Sequence, residues 1–108
     1  MSTEYCVGFI TTGHREEAER IAEALVRQRL AACVTLIPDV ESTYWWEGRV
    51  VRDREVLLVV KTSRAKWPAL MRAVKEGHSY QVPEIIALPI VDGSEAYLQW
   101  LEQSLVES

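Results

Sequence analysis

Thr43-Tyr44-Trp45-Trp46-Glu47-Gly48-Arg49-Val50-Val51-Arg52-Asp53-Arg54-Glu55-Val56-Leu57-Leu58-Val59-Val60-Lys61-Thr62 carries most of what can be read about the fold. Its aromatic start suits a strand. Glu47-Gly48 then offers a tight turn, because glycine reaches positive φ at no steric cost. The return strand is charged in its first half and continuously apolar from Val56 to Val60. That contrast predicts a long hairpin with its base buried between layers and its tip projecting beyond the core. Upstream, Cys33 to Trp46 is β-rich but interrupted at Pro38-Asp39. Proline cannot donate to a ladder, so a bulge or an edge strand is expected there.

Toward the N-terminus, Tyr5 to Thr11 reads as a strand with Tyr5, Val7 and Phe9 on one face. Thr12-Gly13 ends it, and a helix is expected to about Arg29. Ala18, Ile21, Ala22, Leu25 and Val26 form its apolar stripe, and Glu16, Glu17, Arg20, Glu23 and Arg27 are assigned to the opposite side. Beyond the hairpin, Ser63 is a candidate cap for a helix to Glu76, with Pro68 early in it and Gly77 closing it. Pro83 to Ile90 reads as a strand. Asp92 and Glu95 stand at capping-box spacing before a last helix whose stripe is Tyr97, Trp100, Leu101 and Leu105. The order β-α-β-β-α-β-α predicts an α+β, ferredoxin-like βαββαβ sandwich with a long central hairpin and a C-terminal helix, as one domain over residues 1–108. Helices would cover one sheet face only. The other face, with the aromatics of the hairpin, predicts a homo-oligomer, since exposed apolar area of that size invites aggregation. Tyr44, Trp45, Trp46 and Trp100 are expected to anchor that interface rather than to stack a ligand.

Composition narrows the function. The 108 residues carry 12 basic and 16 acidic side chains, a net charge of −4. That argues against nucleic acid as a partner, which needs a basic footprint. No stretch nears the ~18–20 apolar residues of a membrane span. Met1-Ser2-Thr3-Glu4 lacks the basic and hydrophobic regions of a secretory signal, so a cytoplasmic location is expected. Cys6 and Cys33 sit among apolar neighbours and are expected to be free thiols.

Five segments in register point further. Leu30-Ala31-Ala32-Cys33-Val34, Ser42-Thr43-Tyr44-Trp45-Trp46-Glu47-Gly48, Glu55-Val56-Leu57-Leu58 leading into Lys61-Thr62, His78-Ser79-Tyr80-Gln81-Val82-Pro83-Glu84-Ile85 and Tyr97-Leu98-Gln99-Trp100-Leu101 together resemble the CutA divalent-cation-tolerance family. The resemblance spans nearly the whole chain. It implies a cytoplasmic homotrimer, PII-like in architecture, and an association with tolerance to copper and other divalent metals. The chain departs from the family pattern where His-Pro-Tyr becomes His78-Ser79-Tyr80, and where Thr35 replaces an asparagine. It also departs at Thr11 and Gly77, where some members carry a cysteine and a histidine.

On that footing His78 is a candidate metal ligand or pocket donor, or else a cap on the preceding helix. Cys33 is a soft candidate ligand for copper, or else a core residue. His14 is expected to be solvated. Lys61 is expected to snorkel out or to pair with Glu84, and that pair, near His78, Trp46 and Tyr80, would either outline a ligand pocket between subunits or simply fix the trimer's geometry. No nucleophile elbow, P-loop or HExxH stands in the chain, so it is read as not an enzyme. The expected function is that of a homotrimer that weakly binds copper or another divalent cation and contributes to metal tolerance. A small-molecule-sensing trimer or a ligand-free scaffold is the alternative.

Overall fold

The computed structural model describes residues 3–106; Met1 and Ser2, on which part of the reading of the N-terminus rests, lie outside the described residues. Strand β1 (Tyr5–Thr12) leads into helix α1 (Arg15–Arg27), followed by β2 (Cys33–Trp46) and β3 (Arg49–Ser63). Helix α2 (Trp67–Gly77), strand β4 (Ile85–Pro89) and helix α3 (Glu95–Leu105) complete the chain. The four strands form one sheet in the order β2-β3-β1-β4, and every neighbouring pair is antiparallel. This is the split βαβ arrangement of the ferredoxin-like fold.

The hairpin is built as its residues suggest. Trp46 pairs with Arg49 across a turn in which Glu47 (φ 49°) and Gly48 (φ 78°) are both left-handed, the geometry that matches strand twist. The ladder slips between Ile37 and Val40, where Asp39 also takes positive φ. The bulge expected at Pro38-Asp39 is there, on an edge strand.

Register assigns the faces. Cys6, Ile10 and Thr12 of β1 point to the same side as Thr62, Leu58 and Val56, their cross-strand partners on β3. That side packs against Ala18, Ile21 and Leu25 of α1 and Leu70 and Val74 of α2, all buried. Gly8 belongs to this face too, and the ring of Trp67 lies directly over it. The other face carries Val7, Phe9, Leu57, Val59, Ile86 and Leu88, half-buried or exposed. Helix α3 reaches only one end of the sheet, where Leu101 and Leu105 bury against Tyr5, Ala32 and Ile90.

Several local expectations need correction. Glu17 does not lie on the solvent side of α1. It is 6% exposed, one turn before Ile21 on the same stripe. Ser63 accepts a bond from Lys66 N–H at 3.2 Å and so closes a turn, while α2 begins four residues later with Pro68 in its first turn. Gly77 is the last helical residue rather than a left-handed stop. Strand β4 is shorter than Pro83 to Ile90. The cap of α3 is Ser94, whose Oγ accepts from Tyr97 N–H at 3.1 Å, and not Asp92, which accepts from Gly93 N–H. Ser94→Ala therefore costs about 1 kcal/mol in thermal or urea unfolding, and Asp92→Ala leaves the midpoint within error.

Candidate functional site

A cleft of about 540 Å³ opens on the less covered sheet face, between the distal half of the β2–β3 hairpin and the segment joining α2 to β4. Register explains its lining. After the bulge, Val40 pairs with Glu55, Ser42 with Asp53, Tyr44 with Val51 and Trp46 with Arg49. Directly opposed residues share a face, so Tyr44, Trp46, Asp53 and Glu55 all line the cleft side, and Trp45, 73% exposed, points away. Tyr80 and Glu84 close the opposite wall.

The 78–84 segment is held by an unusual density of bonds. His78 Nε2–H donates to the Thr11 carbonyl at 2.6 Å, and its Nδ1 accepts from Tyr80 N–H at 2.9 Å. A carbonyl can only accept, so the ring is the Nε2–H tautomer with both nitrogens engaged. Glu17 accepts from Ser79 N–H at 2.6 Å and from Ser79 Oγ–H at 3.0 Å. The backbone bond exists because the chain has serine here, a residue with an N–H that proline would lack. Tyr80 stacks obliquely on His78, with centroids 4.8 Å apart, and its hydroxyl donates to Glu55 at 2.9 Å.

The cleft is acidic. Asp53, Glu55 and Glu84 line it, and no Lys, Arg or His does among the described residues. Glu55 is 6% exposed and Tyr80 is its hydrogen-bond donor, while the Tyr44 hydroxyl donates to Asp53. Partial burial, and then the charge of Glu55, raise the Glu84 carboxyl above the usual range. Burial, followed by the bond to Glu55, raises the Tyr80 phenol strongly, so it stays a donor at any physiological pH.

The structure brings Trp46, Tyr80 and Glu84 together, with Tyr44 beside them. It does not bring Lys61. That residue lies six positions along β3 from Glu55, about 20 Å away, paired with Val7 and Cys33 near the α3 end of the sheet. The expected Lys61–Glu84 ion pair is absent among the described residues. Within one chain the two are held apart because β3 runs the length of the hairpin. His78 has no free ring nitrogen for a metal, so as a ligand it needs one of its two bonds broken. Cys33 is half-buried on the less covered face, and Cys6 is buried on the helix face two strands away. The two thiols cannot meet. His14 is exposed, as expected. Trp100 lies on α3, 45% exposed and stacked on Tyr97. Among the described residues no three His, Cys, Asp or Glu side chains come close enough to hold a metal ion.

Three residues were missed, Glu17, Asp53 and Glu55. Glu17 recurs with Ile21 and Leu25 at a spacing of four, so a carboxylate on the core stripe was a legible sign of a buried partner. Glu55 gives only the weaker sign of standing where β3 turns apolar.

Comparison with known proteins agrees with this fold. Residues 6–104 match the family described as CutA1 divalent ion tolerance protein. The divalent-cation tolerance protein CutA of Thermus thermophilus is 50% identical over 98 residues, covering 91% of this chain and 95% of its own. The chloroplastic protein CutA 1 of Oryza sativa is 46% identical over 102 residues, which are 94% of this chain but only 58% of that protein. The crystal structure of CutA1 from Oryza sativa superposes with a TM-score of 0.94 at 44% identity, covering 99% of this chain and 98% of the other. From the first strand through the last helix, the chain belongs to the CutA1 divalent ion tolerance family.

Proposed function

We propose that this chain, as a single domain, assembles into a cytoplasmic homotrimer that takes up divalent cations weakly, copper among them, and so contributes to metal tolerance by binding rather than catalysis. The observation that carries the reading is the acidic charge of the cleft, where Glu84 stands near Glu55 and no Lys, Arg or His lines the walls among the described residues. Partial burial, and then the charge of Glu55, raise the Glu84 carboxyl, and a divalent ion entering there offsets that charge. The donors are oxygens, which suit hard ions. For copper the softer Cys33 remains a candidate, on another part of the sheet. The assembly follows from the apolar row Val7, Phe9, Val59, Ile86 and Leu88, with Tyr44, Trp45 and Trp100 as further anchors for the neighbouring copies.

Native mass spectrometry of chelator-stripped protein, titrated with manganese, zinc and copper, tests both parts. The expected result is a trimer with saturable, weak uptake that strengthens with pH as Glu84 ionises. Glu84→Gln loses that uptake and Cys33→Ser keeps it. A monomer removes the assembly. Uptake indifferent to Glu84→Gln removes the cleft, and copper uptake lost only in Cys33→Ser moves the site to that thiol.

A second reading, a trimer that senses a small molecule, is favoured by the size of the cleft. One water-sized occupant needs about 30 Å³.

A further inference from the structure

We propose that the outer surface of α2, with the turn before it, is a docking site for an acidic, unstructured segment of another protein. This surface lies on the helix side of the sheet and owes nothing to the cleft or its occupant.

Charge is segregated along the chain. Residues 64–75 contain Arg64, Lys66, Arg72 and Lys75 and no acidic residue, which leaves −8 on the rest of a chain whose net charge is −4. Such an asymmetry concentrates a positive field on one stretch of an otherwise acidic surface. Nor are these charges spent within the chain. Arg15, Arg20, Arg27 and Arg52 each reach a glutamate at 4.0 Å or less, and none of the bases of residues 64–75 does so among the described residues. Glu76 follows Arg72 by one helical turn and is not within that distance of it. Glu4 meets Arg64 through the backbone, where its carbonyl accepts from Arg64 N–H at 2.8 Å.

The helix presents these groups outward on a firm base. Leu70 and Val74 turn the apolar side of α2 into the core, and Trp67 is seated over Gly8. Arg72 and Lys75, three apart, therefore stand together on the opposite side, and both are exposed, as is Arg64 ahead of the helix. Charges held on a packed helix are already ordered before a partner arrives, which lowers the cost of binding. The apolar row that calls for neighbouring copies is on the other face of the sheet, so a trimer leaves this surface outward on every subunit.

The remaining exposed residues of the stretch select the partner. They are Ala65 and Pro68, with Glu76 just beyond. None is a bulky apolar group that could sink among lipid chains, as a helix lying on a membrane requires. A long polyanion such as nucleic acid would overrun the patch and meet the acidic remainder of the chain. A short acidic segment meets only the bases, and a disordered one can follow the line of α2. A second copy fits less well, because Glu17, Glu19 and Glu23 of α1 already face arginines of their own helix.

A fluorescent peptide of alternating glutamate and serine, beside the same peptide with glutamine for glutamate, tests this by anisotropy titration of the intact protein. The acidic peptide is expected to bind saturably and more weakly as salt rises, and the glutamine peptide not to bind. Arg72→Glu with Lys75→Glu weakens the acidic peptide by about tenfold or more, whereas Arg15→Glu with Arg27→Glu, the same change of charge on α1, weakens it by no more than about twofold. Native mass spectra of the same samples show that the variants remain assembled. Absence of binding by the acidic peptide overturns the inference, as does binding of the glutamine peptide or an equal loss in the two double variants. Phosphatidylserine vesicles or a single-stranded oligonucleotide binding more tightly than the peptide overturn the choice of partner. A larger assembly that vanishes in Arg72→Glu with Lys75→Glu makes the occupant a second copy and overturns it too. Cation uptake by the cleft stands or falls separately from all of these results.

Discussion

Gly8→Val lowers stability by about 3 kcal/mol, the largest single effect expected here. A Cβ placed on Gly8 would stand 2.5 Å from Cζ3 and 2.7 Å from Cη2 of Trp67. Neither atom belongs to a flexible chain end. Both are on the rigid far edge of an indole packed on the core where α2 begins. Relief requires the ring to swing or α2 to lift off the sheet, and close-packed interiors resist both. The glycine is therefore a seat for the tryptophan rather than a weak point in the strand. Urea midpoints at fixed protein concentration measure the loss. The double variant Gly8→Val, Trp67→Leu identifies its cause. If the clash is responsible, the two substitutions together cost clearly less than the sum of their separate losses. Additive losses would place the effect in the strand itself.

Glu17→Ala costs about 2–3 kcal/mol and loosens the wall of the cleft at the same time. The carboxylate is buried and holds both the N–H and the hydroxyl of Ser79. Bonds to a charged acceptor are worth more than neutral ones, and truncating this buried side chain loses two of them and leaves a void in their place. Glu17→Gln keeps one oxygen acceptor and should fall between the wild type and Glu17→Ala. Amide exchange gives the local readout. Ser79 and Tyr80 exchange faster in Glu17→Ala, whereas the amides of Leu58 and Val60 in β3 follow only the global change. Uniform acceleration everywhere would mean that Glu17 supports the core at large and not this segment in particular.

The two substitutions also show what kinds of interaction were legible in the chain. Strand and helix order, the Glu47-Gly48 turn and the Pro38-Asp39 bulge are local events, and local residue chemistry announced them. Trp46, Tyr80 and Glu84 were grouped on the resemblance and on a rough sense of where a strand ends, and they do line one cleft. Lys61 belongs with them only in a pocket between subunits, for within one chain it stands at the other end of the long hairpin. The capping residue of α3 was misplaced by two positions, since Asp92 and Ser94 are both good caps and only the path of the chain chooses between them. Side-chain bonds across the fold, Glu17 to Ser79 and His78 to Thr11, join residues 62 and 67 positions apart. No local pattern encodes such pairs. A charged residue on an apolar stripe was the one trace that either of them left.

The bulge at Pro38-Asp39 separates two kinds of heritable change. Before it, odd-numbered residues of β2 share the less covered face with Val59 and Lys61. After it, even-numbered residues share that face with Glu55 and Asp53. Bulges also bend and twist the strand that holds them, so the ribbon beyond residue 40 has its own direction over the sheet. Removing Asp39 would restore a regular ladder without changing any other pairing partner, and the core between the sheet and its two helices would remain intact. What would change is the angle of the hairpin, and with it the width of the cleft. Small insertions and deletions at this point are thus a route by which descendants of one sequence can acquire differently shaped clefts on an unaltered core.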